Sequence, residues 1–127
     1  MPWTTIEVEK QDKFIIDDDT QSGRTISYKD AIYEALDQSM ARDPRVFIMG
    51  EGIDDVAGVF GTTKDLHLKY GRHRVFDTPI AENSLTGIAA GAAMAGLRPI
   101  LVHARMDFLL LSFDQLVNHA SKWSYLT

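Results

Sequence analysis

The chain has 127 residues, of which 45% are hydrophobic and 24% charged, and it carries a formal net charge of -5 and no cysteine. These values are typical of a folded domain, and they exclude a disordered or collagen-like chain, a disulfide framework and a cysteine-ligated zinc site. The acidic balance disfavours nucleic-acid partners, and no apolar stretch of the sequence is long enough to span a membrane.

Residues 1–24 differ in pattern from the rest of the chain and predict an arm that precedes a domain over residues 25–127. Within the arm, residues 4–8 and 13–16 have the pattern of two short strands. The acidic run at residues 17–19 lacks the ligand spacing of a cation-binding loop, so we expect a solvated loop there. Because the arm is acidic, it is unlike a targeting peptide, and we expect a cytoplasmic protein.

The domain opens with a helix that has clear start and stop signals. Ser27 followed by Asp30 resembles a capping box, an apolar stripe with helical spacing follows, and Pro44 stops the helix. Residues 46–49 are wholly apolar and lead directly to Glu51 and its flanking glycines. This pattern is typical of a parallel strand that is buried on both faces.

Two further helices and one strand follow before the last third of the chain. A short helix is predicted over residues 63–70, and a second strand over residues 74–77. The next predicted helix, residues 83–95, contains Gly87 and Gly91. Each interior glycine costs a helix roughly 1 kcal/mol relative to alanine, so we expect another backbone to approach closely there.

The last third of the sequence completes an alternation of helices and strands. Residues 100–102 predict a third strand, and residues 108–125 predict an amphipathic helix. The apolar face of that helix is formed by Phe113, Leu116, Val117 and Ala120. The alternation predicts an α/β fold, a parallel sheet flanked by helices. Three strands are few for such a sheet, so we expect the domain to be incomplete.

Several common catalytic motifs are missing. The sequence has four histidines: His67, His73, His103 and His119. They lack the spacing of metal ligands, so we expect structural roles and no metal site made by this chain alone. Ser84, Thr86 and Ser112 lack the context of a nucleophile elbow, and no glycine fingerprint for a nucleotide is present.

Glu82 occupies a position with functional meaning. It follows the second predicted strand and leads into the glycine-containing helix, at the edge where open parallel sheets bind ligands. An acidic residue in the first turn of a helix also serves as a partner of the helix dipole. Its position alone leaves both roles open.

The spacing that begins at Glu82 follows the pattern E-x4-G-Φ-x-x-G-Φ, where Φ is apolar, through Gly87 and Gly91. This pattern occurs in the pyrimidine-binding domain of thiamine-diphosphate enzymes. Other segments agree in order along the chain: residues 74–82, 91–100, 107–108 and 114–118. Residues 25–127 thereby resemble the beta subunit of the E1 component of 2-oxo acid dehydrogenases of the pyruvate, branched-chain or acetoin type. The resemblance covers the N-terminal part of a transketolase-like pyrimidine-binding domain.

The resemblance implies one half of a shared active site. In that family the beta chain binds the aminopyrimidine of thiamine diphosphate, and an alpha chain with a Gly-Asp-Gly motif holds the diphosphate and its Mg²⁺ ion. This sequence contains no Gly-Asp-Gly. The resemblance therefore implies an alpha-type partner in an oligomer such as a heterotetramer, with a lipoyl acyltransferase core as a further candidate partner.

The same resemblance assigns roles to three residues. Glu82 would form a hydrogen bond with the pyrimidine N1′, Phe108 would stack on the pyrimidine ring, and Glu51 would lie near the cofactor. Competing interpretations are that Phe108 belongs to the ordinary core and that Glu51 is a loop acid. His103 and Arg105 stand where many members carry an acidic stretch. This difference would suit a more anionic substrate, and side chains that face solvent explain it as well.

The leading hypothesis is oxidative decarboxylation of a 2-oxo acid together with the alpha subunit. One alternative is a transketolase-like or acetoin-cleaving enzyme subunit. Another is a non-catalytic assembly module of the same fold.

Overall fold

Three parallel strands form the sheet. The computed structural model describes residues 23–56 and 60–126, and the two strands predicted in the arm lie outside these ranges. The strands are β1 (Val46–Gly50), β2 (Val75–Asp77) and β3 (Arg98–Val102), in the order β2-β1-β3. Both pairings are parallel, so β1 is the central strand and the predicted α/β fold is confirmed.

Helix α1 (Tyr28–Arg42) begins and ends where the sequence predicts. Ser27 Oγ accepts a hydrogen bond from the Asp30 backbone N–H at 3.1 Å, and the Ser27 hydroxyl donates to the Asp30 carboxylate at 2.6 Å. This hydroxyl bond is the main cause that lowers the pKa of Asp30. At the other end Asp43, which precedes Pro44, is extended, because proline disfavours a helical conformation in the residue before it.

The main core lies between the sheet, α1 and the short helix α2 (Leu66–Tyr70). Its buried members are all apolar: Met40, Val46, Ile48, Ile53, Leu66 and Val75. Side chains alternate between the two faces of a strand, and the neighbours Ile48 and Met49 are 0% and 1% exposed. Strand β1 is therefore buried on both faces, as predicted.

Arg74 joins α1 to the sheet. Its guanidinium donates to the backbone carbonyl oxygens of Met40, Asp43 and Val46 at 2.7 to 3.0 Å. It also lies over the Tyr70 ring, 5.4 Å from the ring centroid. Because the last carbonyl groups of a helix have no partner within the helix, Arg74 supplies hydrogen bonds that the end of α1 needs.

Helix α2 is shorter than predicted. It begins at Leu66 because Asp65 has a left-handed φ of 58°. Thr63, at the predicted start, instead donates its hydroxyl to the Ile53 carbonyl oxygen at 3.3 Å. The helix ends at Gly71, whose φ of 82° is readily adopted only by glycine.

Helix α3 (Glu82–Met94) starts one residue before the predicted position, and its glycines have different surroundings. A Cβ atom at Gly87 would lie 2.9 Å from Gln115 Oε1, so the nearest neighbour within the described chain is a side chain, and the approach of another backbone stays a prediction. At Gly91, apart from the adjacent residues and the backbone of α3 itself, no atom of the described chain lies within 4 Å of such a Cβ. The open side of α3 is therefore at Gly91.

The C-terminal segment is not the single helix that the sequence predicts. A 3₁₀ helix (Met106–Ser112), a π helix (Asp114–Ala120) and the short α4 (Trp123–Leu126) follow one another. The tighter winding of the 3₁₀ helix ends with the Ser112 hydroxyl 3.2 Å from the carbonyl oxygen of Glu82. The predicted apolar face stays largely on the surface, because its aromatic and branched residues are 39 to 47% exposed.

Candidate active site

The carboxyl ends of the three strands lie at one edge of the sheet, where open α/β sheets bind their ligands. The Thr78 backbone N–H donates to the Gly50 carbonyl oxygen at 3.0 Å, and the Ile53 N–H donates to Asp77 Oδ1 at 3.3 Å. These two bonds tie the loops that follow β1 and β2 to each other. The edge is thus a defined surface on which side chains from several elements can converge.

Glu82 enters this edge as the first residue of α3 and is 7% exposed. Within residues 23–56 and 60–126, no group forms a hydrogen bond or ion pair with its carboxylate. The residue is buried as a whole, but its carboxylate oxygens are not among the fully buried unpaired atoms of the described chain, so they keep some contact with solvent. The helix N-terminus favours their negative charge. A ligand atom that shares a proton with this carboxylate would supply the missing partner.

A second unpaired polar atom lies close in the chain. Thr78 follows β2, and its Oγ1 is buried without a hydrogen-bond partner in the described structure. Buried polar atoms are seldom left unpaired. The edge therefore offers two unused polar groups, Thr78 Oγ1 and the Glu82 carboxylate, which fits a polar heteroaromatic ring better than an apolar ligand.

A buried polar cluster connects the start of α3 to the end of β3. The hydroxyl oxygens of Thr86 and Ser112 lie 2.7 Å apart, and each lies close to the Glu82 carbonyl oxygen, at 2.7 and 3.2 Å. His103, directly after β3, places its Nε2 3.4 Å from Ser112 Oγ. Ser112 is 0% exposed and Thr86 6%. The cluster fixes the main chain of Glu82 rather than its carboxylate.

Glu51 lies at the same edge and is half-buried. It lines a small cavity of about 50 Å³ together with Thr63 and His103. The structure thus brings Glu51 and His103 to one cavity, and His103 in turn reaches the main chain of Glu82 through Ser112.

Phe108 lies in the 3₁₀ helix and is half-buried. The Arg105 guanidinium lies over its ring, 5.7 Å from the centroid. Arg105 also donates to both carboxylate oxygens of Asp107, at 3.1 and 2.8 Å. Its charge is therefore compensated, which weakens the expectation of a more anionic substrate. In the described structure, the contacts that connect Glu51 to Glu82 do not include Phe108.

The sequence analysis pointed to Glu82, Glu51 and Phe108. It connected His103 only with the charge of the substrate and gave Thr86 and Ser112 no functional role. The signal that singles out His103 is its place directly after a strand, at the edge where ligands bind. Thr86 and Ser112 carry no such signal. They are 26 residues apart in the chain, and only the fold brings them together.

Comparison with known proteins gives a family match. Residues 24–127 match the family described as transketolase, pyrimidine binding domain. The pyruvate dehydrogenase E1 component subunit beta of Chaetosphaeridium globosum is 52% identical over 96 residues, which are 76% of this chain and 29% of that protein. The subunit of the same name from Gracilaria tenuistipitata var. liui is 53% identical over 96 residues, 76% of this chain and 30% of that protein.

A third relative extends the similarity further along the chain. The mitochondrial pyruvate dehydrogenase E1 component subunit beta of Dictyostelium discoideum is 42% identical over 108 residues, 85% of this chain and 30% of that protein. The chain spans less than a third of the length of these three relatives. None of the helices in the described ranges has the length and apolar character that a membrane crossing requires. Because one relative is named as mitochondrial, the cytoplasmic location stays a prediction.

Proposed function

Since the chain belongs to the family of transketolase pyrimidine-binding domains, we propose that it contributes to a beta-type subunit of a thiamine-diphosphate-dependent 2-oxo acid dehydrogenase. The observation that carries the proposal is Glu82, a buried residue whose carboxylate is unpaired within the described residues and which begins the E-x4-G-Φ-x-x-G-Φ pattern. The similarity to pyruvate dehydrogenase E1 beta subunits supports oxidative decarboxylation as the reaction and pyruvate as the first substrate to assay.

Three residues of this chain would serve the cofactor. Glu82 would hold the aminopyrimidine ring by sharing a proton with its N1′ atom, which is an acid–base role that a buried carboxyl group can fill. Phe108 would stack on the ring, and Glu51 would lie near it. When bound, thiamine diphosphate supplies the carbon nucleophile that attacks the 2-oxo carbon and holds the electron pair released with CO₂.

A partner chain is part of this proposal. The described residues contain no cluster of three or more His, Asp or Glu side chains suited to a metal ion, and the sequence has no Gly-Asp-Gly. An alpha-type chain would therefore hold the diphosphate and its Mg²⁺ ion. A lipoyl acyltransferase would then accept the acyl group.

The test begins with the partner. A tagged full-length subunit is captured from its own source organism, and the bound chain carrying Gly-Asp-Gly is identified by mass spectrometry and co-expressed. In that complex we expect Glu82→Gln to lower CO₂ release from pyruvate by about 100-fold or more, because glutamine keeps the shape but cannot exchange a proton. Size-exclusion chromatography should show unchanged assembly.

Glu34→Gln is the matched control, because Glu34 lies in α1 and pairs with Arg24. Unchanged turnover of Glu82→Gln in an active complex would contradict the role given to Glu82. Turnover of ketoses or acetoin but of no 2-oxo acid would favour the transketolase-like or acetoin-cleaving alternative. A complex that assembles and turns over none of these substrates would indicate an assembly module.

A further inference from the structure

We propose that His103 is a positioning residue for Glu82 and that it acts through the buried hydroxyl of Ser112. The inference rests on the proposed role of Glu82 toward the aminopyrimidine ring. His103 lies outside the E-x4-G-Φ-x-x-G-Φ pattern, and no feature of that pattern requires a histidine after β3.

Two successive contacts connect His103, Ser112 and Glu82. His103 Nε2 lies 3.4 Å from Ser112 Oγ, and Ser112 Oγ lies 3.2 Å from the carbonyl oxygen of Glu82. Thr86 closes the cluster, with its Oγ1 2.7 Å from both Ser112 Oγ and the same carbonyl oxygen. The first residue of α3 is thereby held by side chains from outside its own turn as well as from within it.

The number of hydrogen bonds that a hydroxyl group can donate shows what the His103 imidazole contributes. A hydroxyl group donates only one hydrogen bond but accepts others. When His103 Nε2 carries a proton and donates it to Ser112, the Ser112 proton is directed to the Glu82 carbonyl oxygen or to Thr86. Without the imidazole, the Ser112 hydroxyl loses one of the two side chains that orient it, with Thr86 as the other, and the main chain of Glu82 is held less firmly.

The surroundings of His103 place it between the two acidic residues of the site. The half-buried ring lines the cavity of about 50 Å³ that also contacts Glu51. On another side it lines a cavity of about 330 Å³, together with Thr86 and Leu109. With open space on two sides, the Ser112 contact is the one hydrogen bond that orients the ring among the described residues.

The experiment measures thiamine diphosphate binding to the assembled full-length complex by calorimetry in the presence of Mg²⁺. Because His103→Leu loses about one hydrogen bond, it should raise the Kd roughly three- to tenfold. Ser112→Ala removes a hydroxyl that contacts His103, Thr86 and the Glu82 carbonyl oxygen, so it should raise the Kd at least as much. The double variant should bind thiamine diphosphate with a Kd no higher than that of the weaker-binding single variant, because both substitutions break the same connection. His103→Gln keeps an N–H donor and should largely restore binding. His73→Leu removes an exposed histidine and is the control.

A second ligand separates positioning of Glu82 from a general structural effect. An analogue of thiamine diphosphate with CH in place of N1′ cannot share a proton with Glu82. We therefore expect His103→Leu, Ser112→Ala and Glu82→Gln to leave the Kd of this analogue unchanged. If His103→Leu weakens both ligands equally, the positioning role is overturned.

The outcomes for the two proposals differ. If Glu82→Gln weakens thiamine diphosphate binding and His103→Leu does not, the His103 proposal fails and the proposed function stands. If the unmodified complex does not bind thiamine diphosphate, the proposed function itself fails. If the His103→Leu subunit does not assemble into the complex, Ser112→Ala tests the His103 proposal through the same comparison of the two ligands.

Discussion

The ring of Phe108 is already in contact with a cation. The Arg105 guanidinium lies 5.7 Å from its centroid, and Arg105 is itself held by Asp107. A guanidinium over one face of an aromatic ring is a favourable contact of its own. Phe108 can therefore be a structural partner of Arg105, a platform for the pyrimidine ring, or both.

Phe108→Ala distinguishes these roles. If the ring stacks on the cofactor, the Kd for thiamine diphosphate in the assembled complex should rise by up to about tenfold. Phe108→Tyr keeps the ring and should retain the affinity, and Phe113→Ala removes an exposed ring as a control. Calorimetry measures each Kd. An unchanged affinity of Phe108→Ala, with a lower melting temperature, would assign Phe108 to the core.

At the residue scale, the sequence predicts Glu82 as a site residue but does not predict the residues that hold its main chain. Glu82 was found because its spacing to Gly87 and Gly91 is local and fixed within one helix. The contact between His103 and Ser112 joins residues nine apart, and most of the segment between them winds as a 3₁₀ helix instead of the predicted α helix. No periodic pattern encodes that winding.

At the element scale, prediction succeeded where the signals are local. Helix α1 has its cap at Ser27 and its stop at Pro44, and β1 is apolar throughout, so both were predicted within a residue. The single helix predicted over residues 108–125 is wrong. Its apolar spacing fits an α helix, whereas the chain winds as a 3₁₀ helix and then a π helix, with Ser112 packed against the start of α3. A local apolar pattern contains no information about such tertiary contacts.

Helix α3 allows a prediction that separates folding from assembly. Apart from the adjacent residues and the backbone of α3 itself, no atom of the described chain lies within 4 Å of a Cβ placed at Gly91. Gly91→Ala should therefore raise the free energy of unfolding of the subunit by roughly 0.5–1 kcal/mol, because alanine favours a helix over glycine. If another subunit packs closely against Gly91, the same substitution should weaken the complex.

Urea unfolding of the full-length subunit measures the first effect, and size-exclusion chromatography at decreasing concentration measures the second. Ala92→Gly, next to Gly91 on the same helix, should show the opposite change in stability. Assembly of Gly91→Ala at unchanged affinity would contradict close packing by a subunit at this position.

At the scale of the whole molecule, exposed apolar side chains are unevenly distributed. Most of the large exposed ones lie between residues 88 and 125, on α3 and the segment after β3. Extended apolar patches on a protein surface usually mark places where another chain or domain packs. The curated relatives are more than three times as long as the matched region, so full-length proteins have additional chain that could cover such a surface.

The 127-residue chain on its own should therefore self-associate through this surface, because association removes apolar area from water. Val117→Glu places a charge among the exposed apolar residues and should shift the chain toward a monomer in sedimentation velocity runs at increasing concentration. Leu68→Glu is the control, because Leu68 is exposed on α2, an element that packs with β2 rather than with α3. Far-UV circular dichroism should show that both variants keep their helix content. If the unsubstituted chain is a monomer at every concentration, the apolar surface after residue 88 does not drive association. The same conclusion follows if Val117→Glu and Leu68→Glu have equal effects.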